Sequence, residues 1–330
     1  MPKAFDLGIP ALQGDLARVE IELRAAVLAD DPFLTEVATH LIEAGGKRIR
    51  PTMALSAAYA AAGHGVHQPA PDAVVAGAVA SELVHLGSLY HDDVIDEAAT
   101  RRGVPSVNAR WNNIVAILAG DYLLARASEI AAALGGDVAG LLAGTIGELC
   151  KGQMLELQFL FDTTRTRESY FEAITGKTAA LMASSCRIGG MTAQLPAPTI
   201  DALAEFGHLT GLAFQIVDDV LDLVATERDL GKPACNDLTE GIYTLPVIEA
   251  LAEVDELGAL LGARLAPDEA ERARMLVTST GSIGRALQEA EDLAAQAVAC
   301  LESVDIDPGA RDALSGLPRF MLERAQFATP

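Results

Sequence analysis

Two long apolar segments with helical spacing end in the same acidic pattern, D-D-x-x-D. The two copies are Asp92-Asp93-Val94-Ile95-Asp96 and Asp218-Asp219-Val220-Leu221-Asp222. Because residues i and i+4 stack on one face of a helix, Asp92 lies over Asp96 and Asp218 over Asp222. Like charges at this spacing repel, and carboxylate oxygens are ligands suited to Mg²⁺. Each segment therefore predicts a helix whose end carries a divalent-cation site. Asp93 and Asp219 point about 100° away and are expected to support that site from behind.

The rest of the chain follows the same helical pattern. Half of the residues are hydrophobic and only 5% are aromatic, and no regular strand alternation is visible. Turn signals separate apolar stretches at 74–97, 111–134, 138–161, 168–194 and 200–224. Several are too apolar for surface helices, which indicates burial inside a bundle. We predict an all-α protein: one domain over residues 1–330, a single large helical bundle around a central cavity that both acidic ends face.

Charge and composition exclude several functions and favour one compartment. The 24 basic and 46 acidic residues give a net charge of −22, which repels nucleic acid and anionic membranes. The four cysteines contain no C-x-x-C pair, so a disulfide framework or structural zinc is not expected. The uncharged stretch 51–71 is interrupted by proline and glycine, so it is no membrane span. No signal peptide is evident. We expect a cytoplasmic protein without a transmembrane segment.

Basic residues are few, and two short clusters of them stand out. Gly45-Gly46-Lys47-Arg48-Ile49-Arg50-Pro51 has three cations in four residues, and Arg101-Arg102-Gly103 follows Asp96 by five residues. Arginine binds phosphate in a bidentate manner and lysine acts as a mobile charge. The residues alone also permit a solvated surface turn for the first cluster and an ordinary helix C-terminus for the second.

Five further residues carry polar side chains in apolar or loop surroundings. Gly176-Lys177-Thr178 interrupts an apolar helix, and a buried lysine needs an anion. Gln215 precedes Asp218 by three residues and shares its face. Gly231-Lys232-Pro233 follows the second acidic motif. His85 lies on the same stripe as Asp92, although a core histidine bonded to a carbonyl would look the same.

Taken in order, these motifs resemble those of the all-trans polyprenyl diphosphate synthase (isoprenyl diphosphate synthase) family. The resemblance runs from Gly45 to Pro246 and ends with Thr244-Leu245-Pro246. It implies a transferase that condenses isopentenyl diphosphate with an allylic diphosphate, and a homodimer. About three Mg²⁺ ions would bind with the substrate. The implied metal-binding positions are Asp92, Asp96, Asp218 and Asp222, the last orienting metal-bound water.

The resemblance also implies roles for the other polar positions. The allylic diphosphate or its reacting carbon would be contacted by Arg101, Lys177, Thr178, Gln215 and Lys232. Isopentenyl diphosphate would be bound by Lys47, Arg50, His85 and Arg102. One departure stands at Ile242, where the family often has a lysine that contacts the allylic diphosphate. It puts that one contact in doubt.

Product length follows from small residues before the first motif. In short-chain members an aromatic residue four or five positions upstream closes the product tunnel, whereas this chain has Ser88 and Gly87 there and Val84 further up. We therefore expect a long-chain product, about seven to ten isoprene units by analogy with the family. Geranylgeranyl diphosphate is the alternative, and Tyr90 is the residue that would narrow the tunnel.

Two rival classes are weighed against this interpretation. Paired E-x-x-H triplets, Glu82 to His85 and Glu205 to His208, suggest a di-iron carboxylate bundle, which would leave both acidic motifs and the basic clusters unexplained. A non-catalytic partner subunit of a two-component synthase would typically have lost its acidic motifs, and both are intact here.

Overall fold

The computed structural model describes residues 7–61, 66–224 and 235–326 of the chain. Within these ranges the one sheet is a two-stranded antiparallel hairpin of β1 (Thr100–Arg101) and β2 (Val104–Pro105). The helices are α1 (Leu12–Ala26), α2 (Pro32–Glu43), α3 (Ile49–Ala58), α4 (Asp72–Ile95), α5 (Val107–Arg110), α6 (Asn113–Leu134), α7 (Gly136–Gln158), α8 (Arg167–Ile174), α9 (Ala180–Thr192), α10 (Ala197–Val224), α11 (Asn236–Glu240), α12 (Leu245–Leu251), α13 (Asp255–Leu260), α14 (Pro267–Ser279), α15 (Ser282–Glu302) and α16 (Pro308–Gln326), with a π-helical turn at Thr175–Ala179. The predicted all-α fold class is confirmed.

The chain divides into two compact units. The first comprises Met1–Ile146, Leu181–Gly207 and Leu301–Leu314, and the second comprises Gly147–Ala180, His208–Cys300 and Ser315–Pro330. The first acidic motif belongs to the first unit and the second motif to the second unit. That residues 1–330 act as one domain stays a prediction.

The first unit is built around α4. This helix is apolar on nearly all sides and packs against α1, α3, α5 and α6. It is long and apolar enough to cross a membrane, but 72% of its most apolar window is buried inside the structure. A helix that is hydrophobic all round is typical of a protein core. Burial in this core holds α4 in place and so fixes its C-terminal end, where the first acidic motif lies.

Glycines let neighbouring helices of the first unit approach closely. A Cβ atom at Gly87 of α4 would lie 3.0 Å from the carbonyl oxygen of Gly120 on α6, and one at Gly189 of α9 would collide with the carbonyl oxygen of Ala54 on α3. Side chains at these positions would force the backbones apart. The sequence therefore sets the helix spacing around α4 by omitting them.

The second unit has its own apolar core, at the end of α10. Side chains from α10, α11, α12, α13 and α14 form it, and its fully buried members are Leu238, Tyr243, Val247, Ala250, Leu257, Ala273 and Val277. Leu223 of α10 packs in this cluster, one residue after Asp222. The core thereby supports the helix end that carries the second acidic motif.

Candidate active site

The first acidic motif ends α4 as predicted. The amide of Asp96 donates to the carbonyl oxygen of Asp92 at 2.8 Å, so the two residues are one helical turn apart, and Asp96 caps the helix. Asp92 is half-buried and Asp96 is exposed. A helix C-terminus carries partial negative charge, and two carboxylates add further negative charge there. This helix end therefore favours a cation.

Asp93 of the same motif points into the protein. Its carboxylate is fully buried and accepts hydrogen bonds from Arg101, at 2.7 Å from Nε and 2.6 Å from Nη2. Burial raises the pKa of Asp93, and the Arg101 charge opposes that rise. The side chain of Asn108 also donates to the Asp93 carbonyl oxygen at 3.0 Å. Asp93 thus holds the segment that carries Arg101 against the end of α4.

The middle arginine of the first basic cluster also turns inward. Arg48 is 6% exposed, and its Nη1 donates to Glu82 Oε1 at 2.9 Å while its Nε donates to Glu20 Oε1 at 2.5 Å. It has a left-handed backbone, with φ 51°, immediately before α3. Glu82 therefore pairs with an arginine in the protein interior. A di-iron site would instead require the glutamate of this first E-x-x-H triplet to bind iron.

The outer residues of that cluster lie differently. Lys47 is exposed, and Arg50 places its Nη1 at 3.2 Å from His85 Nε2. A guanidinium donates and never accepts, so His85 is a neutral acceptor at this nitrogen. Burial, followed by the charge of Arg50, lowers the pKa of His85 well below 6.5. The predicted pair Arg50 and His85 is therefore brought together in the first unit.

Arg102 joins the two basic clusters. Its Nη1 donates to the carbonyl oxygen of Leu41 at 3.0 Å and to that of Gly45. A Cβ atom at Gly46 would lie 2.9 Å from the Arg102 guanidinium carbon. The glycines that open the first cluster thus make room for the arginine of the second. The solvated surface turn that the residues alone permitted does not describe these arginines.

The second acidic motif lies near the end of α10 in the second unit. Asp218 is half-buried, whereas Asp222 is 2% exposed. Asp222 Oδ2 accepts from the amide of Asp237 at 3.1 Å, and its carbonyl oxygen accepts from the amide of Cys235 at 2.9 Å. Asp222 therefore ties the end of α10 to the start of α11. Its predicted metal role stays a prediction.

Lys177 and Thr178 lie in the π-helical turn at Thr175–Ala179, a type of turn that is frequent at functional sites. Lys177 Nζ is 2.5 Å from Glu156 Oε1, and Glu156 is buried. The sequence predicted a buried lysine that needs an anion. The side chain of Lys177 is 29% exposed rather than buried, and Glu156 supplies the anion. Sequence reasoning missed Glu156, although an acidic residue on an apolar helix was a signal for it.

A chain of four polar side chains runs from Thr178 to Tyr170. Thr178 Oγ1 donates to Gln215 Oε1 at 2.6 Å, Gln215 Nε2 donates to Asp219 Oδ1 at 2.8 Å, and the Tyr170 hydroxyl donates to Asp219 Oδ2 at 2.6 Å. Burial raises the pKa of Asp219 to about 7, while the two hydrogen bonds oppose this. Gln215 therefore bonds Asp219 rather than Asp218. Tyr170 had not been singled out from the sequence.

The structure brings the predicted residues together within each unit. In the first unit Arg50 meets His85, and Arg101 and Arg102 are anchored beside the ends of α4 and α2. In the second unit Thr178 meets Gln215. Lys232 lies outside the described residues. Ile242, which replaces the family lysine, is half-buried and donates its amide to the carbonyl oxygen of Asp237 at 2.8 Å.

The helix ends suit Mg²⁺. Among the described residues no three His, Cys, Asp or Glu side chains form a ready-made metal cage. Mg²⁺ usually takes one or two carboxylates and completes its shell with water and substrate phosphates. Asp92 with Asp96, one helical turn apart at the end of α4, is such a donor set. The residues present therefore fit the ion.

One part of the product-length argument is wrong. The missing side chain of Gly87 leaves no opening, because the Gly120 carbonyl oxygen and the Leu124 side chain fill that space. Val84 is fully buried, and the Tyr90 hydroxyl donates to the carbonyl oxygen of Val37 at 2.8 Å. Of the positions proposed for an open tunnel floor, Ser88 is the one that keeps solvent access.

The chain is similar to known proteins over most of its length. The model of the family described as Polyprenyl synthetase matches residues 31–278. Heptaprenyl diphosphate synthase component 2 of Geobacillus stearothermophilus is 43% identical over 80% of this chain and 81% of its own length. Nonaprenyl diphosphate synthase of Mycobacterium tuberculosis is 38% identical over 95% of this chain and 93% of its own.

A solved structure agrees with these sequence relatives. Geranylgeranyl pyrophosphate synthase from Corynebacterium glutamicum, complexed with calcium and isoprenyl diphosphate, superposes with a TM-score of 0.81 and 37% identity, over 97% of this chain and 96% of that one. The fold and the comparisons define an all-α transferase. The chain belongs to the polyprenyl synthetase family.

Proposed function

We propose that this protein is a Mg²⁺-dependent prenyltransferase that condenses isopentenyl diphosphate with an allylic diphosphate to an all-trans polyprenyl diphosphate. The observation that carries the proposal is that each acidic motif lies on a long helix, the first at its C-terminus, with the first aspartate of each motif half-buried and the second buried. Family membership supports the reaction class. The calcium and isoprenyl diphosphate in the relative's structure support a divalent cation and a diphosphate substrate.

In this mechanism the aspartates and cations act on the allylic diphosphate. Asp92, Asp96, Asp218 and Asp222 would hold Mg²⁺, and the bound ion would supply positive charge to the diphosphate leaving group. The carbon–oxygen bond breaks with both electrons on the leaving group, which leaves an allylic cation. Arg101, Lys177 and Lys232 add positive charge around the diphosphate. Thr178 and Gln215 direct their oxygens at the cationic carbon.

The first basic cluster binds the second substrate. Lys47, Arg50, His85 and Arg102 would hold the diphosphate of isopentenyl diphosphate. Arg50 arrives already paired with a neutral His85, and Arg102 is already fixed against the loop at Gly45, so little ordering remains on binding. The double bond then attacks the cation to form the new carbon–carbon bond, and loss of a proton restores a double bond. The departing diphosphate accepts that proton.

Isosteric replacement of the first aspartate of each motif tests this assignment. Asp92→Asn or Asp218→Asn should abolish Mg²⁺-dependent incorporation of isopentenyl diphosphate and leave the circular-dichroism spectrum unchanged. Asp268→Asn, at an exposed position of α14, is the matched control and should keep wild-type turnover. Near-normal activity of either motif variant would contradict the proposal. Wild-type activity of the purified chain alone would also exclude a non-catalytic subunit.

We propose a long-chain product, about seven to ten isoprene units by analogy with the family. The heptaprenyl and nonaprenyl synthases among the relatives support it. Geranylgeranyl diphosphate remains the second candidate because the Corynebacterium structure is of a synthase of that product. Chromatography of products formed from each allylic primer decides between them. A dominant product of about four units or fewer would refute the long-chain proposal.

We further propose a homodimer that works in the cytoplasm. Support for the dimer is an apolar stripe on the outer side of α6, where Ile114, Ile117 and Leu118 are 70%, 44% and 62% exposed. Large exposed apolar side chains at helical spacing mark protein contacts. Light scattering of Leu118→Lys should give a smaller mass than wild type, and equal masses would argue against this face. Cell fractionation tests the compartment.

A further inference from the structure

The hydrogen-bond chain in the second unit has a fixed direction. Asp219 is 4% exposed and receives two hydrogen bonds, one on each oxygen, from Tyr170 and Gln215. The side-chain amide of Gln215 has its Nε2 at 2.8 Å from Asp219 Oδ1 and its Oε1 at 2.6 Å from Thr178 Oγ1. Its NH₂ group therefore donates to Asp219, and its carbonyl oxygen faces Thr178.

That direction determines what Thr178 can offer. A threonine hydroxyl has one proton and two acceptor lone pairs. The 2.6 Å bond from Thr178 Oγ1 to Gln215 Oε1 uses the proton. Any further partner of this hydroxyl consequently meets lone pairs. An electron-rich oxygen stabilises a neighbouring positive charge, whereas an outward O–H would oppose it.

Tyr170 holds the far end of the chain. Its ring is 1% exposed, so its hydroxyl has no ready substitute in water. The guanidinium of Arg165 lies 5.7 Å from the ring centroid, is 4% exposed, and donates from Nη1 to the carbonyl oxygen of Tyr243 at 3.1 Å. Removing the Tyr170 hydroxyl would leave one Asp219 oxygen buried without that donor. Asp219 could then rotate and release Gln215.

We propose that Tyr170 and Asp219 are positioning residues that set the direction of the Gln215–Thr178 hydrogen bond, so that the Thr178 oxygen meets the reacting allylic carbon with lone pairs only. The inference rests on the proposed function. It concerns two residues that do not themselves contact substrate or metal. Their loss should therefore slow the chemical step and leave substrate binding intact.

Tyr170→Phe tests the proposal, with Tyr243→Phe as the matched control. Both are buried tyrosines of the second unit. The Tyr243 hydroxyl accepts from the backbone amide of Gly262 at 2.7 Å and takes no part in the hydrogen bonds that link Thr178 to Tyr170. Tyr170→Phe should lower kcat about tenfold, with both KM values within about twofold. Tyr243→Phe should keep the wild-type kcat. Equal kcat values for Tyr170→Phe and wild type, or equal losses in both variants, would overturn the proposal.

Asp219→Asn provides a second test that does not depend on how Tyr170→Phe folds. The amide can donate to Gln215, which would turn the Gln215 NH₂ group towards Thr178. We expect a larger fall in kcat than for Tyr170→Phe, at an unchanged Mg²⁺ concentration for half-maximal rate. If both residues act through one chain, the double variant should be no slower than Asp219→Asn. Additive losses, or a shifted Mg²⁺ requirement, would overturn the proposal. Absence of product from wild type would instead refute the proposed function.

Discussion

Replacing Arg48 with methionine should destabilise the first unit more than any surface ion-pair change. Arg48 is 6% exposed and Glu82 is 1% exposed, and their atoms lie 2.9 Å apart. Methionine fills similar volume but leaves the Glu82 carboxylate buried without its cation. Breaking a buried pair by removing one partner costs about 3–5 kcal/mol.

The corresponding shift in Tm follows from the size of the chain. Unfolding entropy near the midpoint is about 2.1 cal/mol/K per residue, which for 330 residues gives about 0.7 kcal/mol per degree. For cooperative unfolding of the whole chain, Arg48→Met should therefore lower Tm by about 4–7 °C. Replacing Glu82 with glutamine in the same protein should restore part of this loss, because the uncompensated charge is then gone.

Thermal unfolding at one scan rate, followed by circular dichroism, measures the effect. Arg272→Met is the matched control: Arg272 and Glu256 form an ion pair in which the side chains are 61% and 52% exposed. Exposed pairs contribute little, so its Tm should stay within about 1 °C of wild type. The reasoning about Arg48 fails if Arg48→Met lowers Tm no further than Arg272→Met does.

Two other predictions concern the same unit. Gly189→Ala places a Cβ against the carbonyl oxygen of Ala54 and should lower Tm by about 1–4 °C. Gly140→Ala, at an exposed helical site with open space, is the control and should raise Tm slightly. Equal Tm values for the two variants would contradict the packing argument. Because burial and Arg50 lower the folded pKa of His85 well below 6.5, the unfolded state binds the extra proton first, and stability falls as pH drops below 6.5. Between about pH 7.5 and about pH 5.5 the Tm of His85→Gln should therefore fall less than the Tm of wild type. Identical falls in Tm would refute this prediction.

Relations within one helix were predictable from the sequence. The 3.6-residue period stacks Asp92 with Asp96 and turns Asp93 away, and the structure has Asp93 buried. The apolar content of α4 predicted a core helix and the all-α class. The family resemblance located Lys177, Thr178 and Gln215, of which Thr178 and Gln215 are in direct contact. These features depend on local periodicity or on motif order, and both can be read directly from the amino-acid sequence.

Partners from distant segments were decided by the tertiary structure. Arg48 meets Glu82 across 34 residues, Lys177 meets Glu156 across 21, and Tyr170 meets Asp219 across 49. A lysine in an apolar helical segment predicted an anion near Lys177, and the structure has an acidic partner there although Lys177 is 29% exposed. Which carboxylate supplies it depends on how the helices pack. Packing likewise filled the space at Gly87 that the sequence alone made look open. Periodicity fixes which residues share a helix face, whereas long-range packing alone determines what that face meets.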